Sequence, residues 1–180
     1  EGWEPVGNSS SNYFSAHFNG NGHIIKNLTI NRPATSYVGL FGRVGNSTIE
    51  NVVIAGLNSK IIGNQYVAAL VGYASNSQIR NVVIAANVQG DRYVGGLVGQ
   101  AYSETHIENS FVSGSVSGDR YIGGLVGSSS GSSNPKNTIN QSLSTSFVVG
   151  NSSVGGLIGY SYNTNTMNSY WAKDISGRNG

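Results

Sequence analysis

The sequence predicts an all-β protein that folds as a parallel β-solenoid (a β-helix). Two related segments alternate along the chain with a period of 27–32 residues, which is the signature of a repeat architecture. The segments are short, rich in Val, Ile and Tyr, and bounded by Gly, Asn and Ser, as strands and tight turns are. Glycine accounts for 26 of the 180 residues, while the Lys and Glu that usually cover helix surfaces are scarce.

The first repeated segment places one leucine among glycines. Its five copies read YVGLFG (37–42), YVAALVG (66–72), YVGGLVG (93–99), YIGGLVG (121–127) and SVGGLIG (153–159). Their leucines are Leu40, Leu70, Leu97, Leu125 and Leu157, spaced by 30, 27, 28 and 32 residues. If successive coils stack, these leucines form a continuous apolar ladder, and the glycines allow sharp turns or close approach of two backbones.

The second repeated segment carries an apolar residue followed, two positions later, by an amide. Its copies are TIENVVIAG (48–56), QIRNVVIAA (78–86), HIENSFVSG (106–114), TINQSLSTS (138–146) and TMNSYWAKD (166–174). The apolar column is Ile49, Ile79, Ile107, Ile139 and the odd member Thr166, and the amide column is Asn51, Asn81, Asn109, Gln141 and Asn168. We take HIIKNLTIN (23–31) as a degenerate first copy, with Ile25 and Asn27 in the two columns. Stacked amides can donate to one another along such a column.

One coil per repeat gives about six coils of 27–32 residues, stacked in parallel at about 4.8 Å and wound right-handed. We expect a single domain over 1–180. Residues 1–36 form a leader, an N-terminal cap and the degenerate first coil, 37–167 the repeats, and 168–180 a closing segment. Because open strand edges invite aggregation, we expect residues 1–22 and the segment YWAKDISG (170–177) to cover the two ends.

The repeated Gly-Leu-Val-Gly tetrapeptide resembles the GLUG motif of bacterial repeat proteins. GWEPVG (2–7) with AHFNGNGHIIKNLTINRP (16–33) is similar to the leader of such repeats, and NSYWAKDISG (168–177) is similar to their closing segment. The resemblance covers nearly the whole chain. It implies a secreted or surface-anchored bacterial protein, since such repeats occur in adhesins related to filamentous haemagglutinin and in non-catalytic regions of IgA-cleaving metalloproteases.

Composition and motifs point away from several classes of function. The chain has no Cys, which excludes disulfides and thiolate metal sites, and its net charge of +2 gives no reason to expect a nucleic-acid partner. No apolar run approaches the roughly 18 residues that span a bilayer, so we expect no membrane insertion of this segment. The three histidines, His17, His23 and His106, lack a HExxH motif, so we expect no metal site. We also expect no cofactor and no catalytic residue.

Paired carboxylates are candidates for catalysis because some parallel β-helices are polysaccharide-active enzymes. Asp91 and Asp119 occupy equivalent positions, but each precedes an arginine (Arg92 and Arg120), so interleaved Asp–Arg pairing is the simpler interpretation. Opposite charges also alternate in a second column, which we expect to be a salt-bridge ladder. This column consists of Glu50, Arg80 and Glu108.

Tyrosines are the candidates for ligand binding. One repeated column, expected to pack ring on ring along a wall of the solenoid, is Tyr37, Tyr66, Tyr93 and Tyr121. Four others follow the Gly-Leu-x-Gly element at two offsets and form the predicted ligand-binding set: Tyr73, Tyr102, Tyr160 and Tyr162. Phenolic rings beside Asn and Ser combine stacking with hydrogen bonding, as a sugar-binding surface does.

The sequence therefore predicts a non-catalytic repeat segment of a secreted or bacterial cell-surface protein, acting as an adhesin or spacer. Its expected partner is a host glycan or surface protein, and we expect a monomer in isolation. One alternative is an accessory module that holds substrate for a secreted metalloprotease. Two less favoured alternatives are a polysaccharide-active β-helix enzyme and an ice-binding solenoid, although the column that begins at Thr48 lacks the regular threonines of the latter.

Overall fold

The computed structural model describes residues 1–56, 58–132 and 135–173, which form 22 short β-strands. The first eleven are β1 (His17–Asn19), β2 (Ile24–Lys26), β3 (Thr29–Asn31), β4 (Phe41–Gly45), β5 (Thr48–Ala55), β6 (Lys60–Ile62), β7 (Gln65–Val67), β8 (Val71–Ser75), β9 (Gln78–Gln89), β10 (Arg92–Gly95) and β11 (Val98–Tyr102). The others are β12 (His106–Glu108), β13 (Phe111–Ser117), β14 (Arg120–Gly123), β15 (Val126–Ser130), β16 (Asn137–Asn140), β17 (Leu143–Ser144), β18 (Phe147–Val149), β19 (Ser152–Gly155), β20 (Ile158–Tyr162), β21 (Thr164–Met167) and β22 (Tyr170–Trp171).

The strands wind as a parallel β-solenoid, which confirms the fold predicted from the repeat. Each circuit passes through a 13-stranded sheet, then a four-stranded sheet (β7, β10, β14, β19) and then a five-stranded sheet (β4, β8, β11, β15, β20). All pairings between these strands are parallel, for example β9 with β13 and β11 with β15. Five circuits are complete where about six were expected, and β21 with β22 begins a sixth.

The predicted apolar ladders fill the interior. Equivalent isoleucines pair in register from coil to coil and are at most 1% exposed; they are Ile49, Ile79, Ile107 and Ile139. The leucine ladder lies opposite, and its three central members, Leu70, Leu97 and Leu125, are fully buried. Because each side chain contacts its own copies above and below, these two columns form continuous apolar ladders in a narrow core.

Glycine ends the Gly-Leu-Val-Gly element because backbone atoms of the preceding coil and of its own coil lie too close for a side chain. A Cβ added at Gly99 would lie 2.6 Å from the carbonyl oxygen of Gly72 and 2.7 Å from that of Tyr93. Gly127 repeats this one coil later, 2.6 Å from the oxygen of Gly99. Any larger residue would push two hydrogen-bonded coils apart.

The amide column turns the chain with a left-handed backbone. Its members have φ of 48–55°, a conformation that Asn tolerates better than most residues, and they are Asn51, Asn81, Asn109, Gln141 and Asn168. The predicted amide ladder forms over the first three of them: Asn81 Nδ2 donates to Asn51 Oδ1 at 3.1 Å, and Asn109 Nδ2 donates to Asn81 Oδ1 at 3.4 Å. The turn and the ladder therefore use the same residue type.

The register predicted for the first coil is wrong. Phe18, not Ile25, pairs with Ile49, and Ile25 pairs with Ile54 further along the same strand. Asn27 accordingly lies beside Gly56. Asn19 Oδ1, by contrast, accepts a hydrogen bond from Asn51 Nδ2 at 3.1 Å. The first coil begins about seven residues earlier than the HIIKN pattern indicated, because a Phe replaces the repeated Ile.

Leader residues cover the N-terminal edge of the solenoid. Gly2 bridges Ile30 in the antiparallel sense, and Val6 bridges Phe41. The indole Nε1 of Trp3 donates to the carbonyl oxygen of Leu40 at 3.0 Å. The Phe14 ring packs 4.9 Å from that of Phe41, between centroids. The finer division into leader, repeats and closing segment stays a prediction.

At the other end, Trp171 lies across the last described coil. Its ring packs against Gly156, and together with Val154, Leu157 and Ile158 it lines a mainly apolar hollow. The part of the predicted cover at 174–177 lies outside the described residues. Within the described part, Trp171 therefore shields the end of the leucine ladder.

Replacing Ile79 by Ala should lower the free energy of unfolding by about 2–5 kcal/mol, because it leaves a cavity in the middle of the isoleucine ladder. Val83→Ala is the matched control, since Val83 lies on the same strand but is 41% exposed. Urea unfolding followed by circular dichroism measures both. Equal losses for the two variants would contradict the arrangement of buried and exposed columns.

Trp171→Ala should expose the apolar end of the last coil and increase self-association. Light scattering after size-exclusion chromatography should give a larger mean molar mass than for the wild type at equal concentration. Tyr170→Ala is the control, because Tyr170 is adjacent and 65% exposed. An unchanged molar mass for Trp171→Ala would show that the tryptophan does not protect this end.

Candidate functional site

The outer face of the five-stranded sheet carries two columns of side chains. One column, in register from β4 to β20, is Arg43, Tyr73, Gln100, Ser128 and Tyr160. The other is Gly45, Ser75, Tyr102, Ser130 and Tyr162. Residues between the columns, such as Val44 and Ala74, point inward and are buried. The face therefore varies from coil to coil, whereas the buried position between the columns holds only small or aliphatic side chains in the first four coils: Val44, Ala74, Ala101 and Ser129.

A ladder of stacked tyrosines borders this face. The ring centroids of Tyr37 and Tyr66 are 4.8 Å apart, those of Tyr66 and Tyr93 are 4.7 Å apart, and those of Tyr93 and Tyr121 are 5.0 Å apart. These tyrosines have φ of 55–61°, which costs about 1–2 kcal/mol per residue. Ring stacking of about 0.5–1.5 kcal/mol per pair offsets much of that cost. The expectation that this column packs along one wall is confirmed.

The four predicted ligand-binding tyrosines separate into two pairs. Tyr73 and Tyr102 lie on adjacent strands with ring centroids 6.2 Å apart. Tyr160 and Tyr162 lie together on β20, and the Tyr160 ring contacts that of Tyr121 at 5.4 Å. Strand β15, which carries serines in both columns, separates the two pairs. Their role in binding stays a prediction.

The first pair lines a groove. We call it the tyrosine groove, a cavity of about 220 Å³ whose lining includes Tyr13, Arg43, Asn46, Tyr73, Asn76 and Tyr102. The Tyr13 ring comes from the leader and lies over Gly45, where a side chain would block it. Asn46 and Asn76 are exposed at the rim, and their side-chain amides make no hydrogen bond within the described part of the chain.

Arg43 lines this groove and contacts two aromatic rings that are nearly perpendicular to each other. Its guanidinium carbon is 4.7 Å from the centroid of Tyr37 and 4.5 Å from that of Tyr73. Burial raises the pKa of the Tyr73 phenol above its usual value, which the positive charge of Arg43 only partly counteracts. The phenol therefore stays protonated at neutral pH, as a neutral hydrogen-bonding group.

Sequence reasoning missed four residues of the groove. Arg43 and Tyr73 occupy the same register position, directly after the last glycine of the repeated element. An alignment of the five copies therefore indicates that Arg43 lies beside Tyr73. Asn46 and Asn76 have φ of 51° and 48° and end the two strands in the same way. Tyr13 belongs to no repeat, and nothing in the periodicity indicates its position.

The acidic residues do not converge on one point. Glu50 is bound by Arg80, with Nε 2.7 Å from Oε2, and by His17, with Nε2 2.7 Å from Oε1. The predicted ladder stops there: in the part of the chain that the structure describes, no ion pair joins Arg80 to Glu108. Glu50 and Glu108 lie two coils apart with Arg80 between them.

Interleaved Asp–Arg pairing is wrong for the second set of charges. Asp91 pairs with its own neighbour Arg92 at 3.7 Å. Asp119 instead accepts a hydrogen bond from Asn151 at 2.8 Å, and the Arg120 guanidinium lies over the Tyr121 ring at 4.6 Å. Arg120 therefore contacts a ring of the tyrosine ladder, which the spacing of charges in the sequence did not indicate.

The histidine, acidic and threonine side chains form neither a metal site nor an ice-binding array within the described residues. Residues 1–56, 58–132 and 135–173 contain no cluster of three or more His, Asp or Glu side chains that could hold a metal ion. The column that includes Thr48 reads His17, Thr48, Gln78, His106, Thr138 and Asn165. It is not a threonine array. In the same described ranges, no helix has the length and apolarity needed to cross a membrane.

Comparison with known proteins shows that the chain carries the GLUG motif. The family described as the GLUG motif matches residues 90–117, which cover one circuit of the solenoid. The recognition made from the repeated tetrapeptide is thus confirmed.

Two curated relatives share part of the chain. Halomucin of Haloquadratum walsbyi is 38% identical over 104 residues, which make up 57% of this chain and 1% of halomucin. A candidate Gly-rich membrane protein of Evansella cellulosilytica is 45% identical over 56 residues, which make up 31% of this chain and 6% of that protein. The chain thus spans a small fraction of either relative.

A solved structure has a similar fold. It is that of a candidate immunoglobulin A1 protease from Bacteroides ovatus, with a TM-score of 0.61 and 21% identity. The match covers 96% of this chain and 65% of the other. At this level of identity the similarity concerns the fold alone.

The Glu50 cluster should make stability depend on acid pH. Hydrogen bonds from Arg80 first, and then His17, lower the pKa of Glu50 below its ordinary 4.5, although burial opposes the shift. A carboxylate with a lowered folded-state pKa stabilises the fold fully above pH 4.5, and this contribution is lost as pH falls through the folded-state pKa. Urea midpoints measured from pH 7 down to pH 3 should therefore fall less steeply for Glu50→Gln than for the wild type.

Glu108→Gln is the control for this prediction, since it removes a carboxylate from the same column and leaves the Glu50 cluster intact. Identical pH profiles for the wild type and Glu50→Gln would show that the cluster contributes nothing to acid stability.

Proposed function

We propose that the chain is a non-catalytic solenoid module of a secreted or cell-surface protein that recognises glycans through the tyrosine groove. The observation that carries the proposal is the groove itself. Aromatic rings from the leader (Tyr13) and from two adjacent coils (Tyr73 and Tyr102) lie there beside rim amides that make no hydrogen bond in the described part of the chain. In Tyr13 and Tyr102, 44% of each residue remains exposed. Aromatic faces with nearby amides and hydroxyls are a combination suited to pyranose rings.

The exposed pair on β20 would provide a second aromatic surface on the same face. Tyr160 is 43% exposed and Tyr162 is 57% exposed. Two such surfaces separated by one strand would contact successive sugars of a longer chain, because neighbouring strands lie about 4.8 Å apart. Binding at both would strengthen retention of a polymer without new contacts at either.

The solenoid would also act as a spacer. Five coils at about 4.8 Å give a rod roughly 24 Å long with a continuous apolar interior. Such a body holds its outer columns in a fixed geometry, so little ordering would be needed when ligand binds. No catalytic step is part of the proposal, since Glu50 and Glu108 are held apart by Arg80.

The names of two similar proteins support a location at or outside the cell surface. One is a candidate Gly-rich membrane protein, and the similar solved structure is a candidate immunoglobulin A1 protease. A module that holds protein substrate for an attached protease is the alternative, and a failure to bind glycans would favour it.

Replacing Tyr73 and Tyr102 together by Ala should weaken binding to the best glycan of a broad array by roughly tenfold or more, because two stacking faces are lost. The Tyr160→Ala, Tyr162→Ala double variant should lose binding to long glycans more than to short ones. Tyr170→Ala is the control, as an exposed tyrosine outside the groove.

Binding that is unchanged in the Tyr73→Ala, Tyr102→Ala variant would place any glycan site elsewhere. Wild-type protein that binds no glycan would contradict the proposed function and leave the protein-directed alternative. Urea midpoints for each variant separate a lost site from a lost fold.

A further inference from the structure

We propose that the ligand of the tyrosine groove is an acidic glycan, whose carboxylate or sulfate is received by the guanidinium of Arg43. This inference rests on the proposed function and names the chemical class that the groove selects. The inference starts from Arg43, which, unlike Arg80 and Arg92, pairs with no carboxylate in the described residues.

Arg43 carries a charge that has no acidic partner. Arg80 pairs with Glu50 and Arg92 pairs with Asp91. In residues 1–56, 58–132 and 135–173, Arg43 makes no ion pair and no side-chain hydrogen bond, and its contacts are with aromatic rings. The N–H donors of its guanidinium that do not face these rings are therefore available to a ligand.

The two rings orient that charge. Tyr37 lies 4.7 Å and Tyr73 lies 4.5 Å from the guanidinium carbon. The two rings lie at 88° to each other, so they contact the guanidinium from two directions, and the N–H groups in its plane that face neither ring are the ones left for hydrogen bonds. A carboxylate or sulfate approaching in that plane can accept two parallel hydrogen bonds.

The lining of the groove suits an anion. Besides Arg43 it consists of neutral side chains, including Ser10, Tyr13 and Asn46. Glu104 lies in the neighbouring cavity, which shares Asn46 and Asn76 with the groove. The protonated phenol of Tyr73 can donate a hydrogen bond without repelling a negative group. A net charge of only +2 provides little long-range attraction, so selectivity must come from this local arrangement.

The remaining arginine near the face shows what is particular to Arg43. Arg120 also lies over a ring, that of Tyr121 at 4.6 Å, but it has one aromatic partner and lines none of the cavities at the groove. Arg120→Gln therefore removes the same charge from the neighbouring four-stranded sheet and serves as the matched control for Arg43→Gln.

The test is a glycan array that contains neutral, carboxylated and sulfated members, probed with the wild type, Arg43→Gln, Arg43→Lys and Arg120→Gln. The wild type should bind carboxylated or sulfated members, and Arg43→Gln should lose about tenfold or more of that affinity. Arg43→Lys keeps the charge but not the planar fork, so it should restore the affinity only in part. Arg120→Gln should bind like the wild type.

Chemical modification of the array member that binds best then shows whether a carboxylate or a sulfate supplies the negative charge. Loss of binding after methyl esterification identifies a carboxylate, and loss after desulfation identifies a sulfate. Binding to neutral members alone would overturn the acidic-glycan inference while leaving the proposed function standing. Acidic binding that Arg43→Gln does not weaken would also overturn it. Absence of all glycan binding would overturn the proposed function and this inference together.

Discussion

Hydrogen bonding between successive coils in strict register is the constraint on which the rest of the structure depends. Leu97 N donates to Leu125 O at 2.9 Å, and Leu125 N donates to Leu157 O at 2.9 Å. Each repeated position therefore meets its own copy about 4.8 Å away, and only residues compatible with themselves can fill a column. Leucine, isoleucine, asparagine and tyrosine satisfy this by packing, by amide bonding or by ring stacking. Charged columns are less regular: Arg80 lies between the two glutamates of its column, whereas Arg92 and Arg120 stack in register and find separate partners in Asp91 and the Tyr121 ring.

The same constraint explains where a site can arise. Interior columns have little freedom, because a change in one coil disturbs the coils on both sides. The outer columns of the five-stranded sheet face solvent, so they can hold Arg43, Tyr73 and Gln100 in succession without loss of register. The tyrosine groove is formed by such departures from the repeat. It also depends on the leader, because Tyr13 closes one side over Gly45.

Periodicity made the fold and most of the register predictable. Ile49 and Ile79, or Leu97 and Leu125, could be paired from spacing alone, because stacking requires equivalent residues to coincide. The first coil was misplaced because HIIKN reproduces the apolar–amide pattern, whereas the true equivalent of Ile49 is Phe18. The site was only half predictable. Tyr73 and Tyr102 stood out as aromatics after the glycines, but Tyr13 reaches the groove through a leader that has no period, and Arg43 owes its role to rings from two different columns.

The most direct test of coil stacking is to measure two spin-label distances along one column of the solenoid. Since the chain has no cysteine, spin labels can be attached at His17→Cys paired with Thr138→Cys, and at His17→Cys paired with Asn165→Cys. These pairs are four and five coils apart in register. Pulsed electron paramagnetic resonance should give backbone separations of about 19 Å and 24 Å, a difference of one strand spacing. Distances that do not increase from the first pair to the second, or that exceed roughly twice these values, would contradict in-register stacking of one coil per repeat.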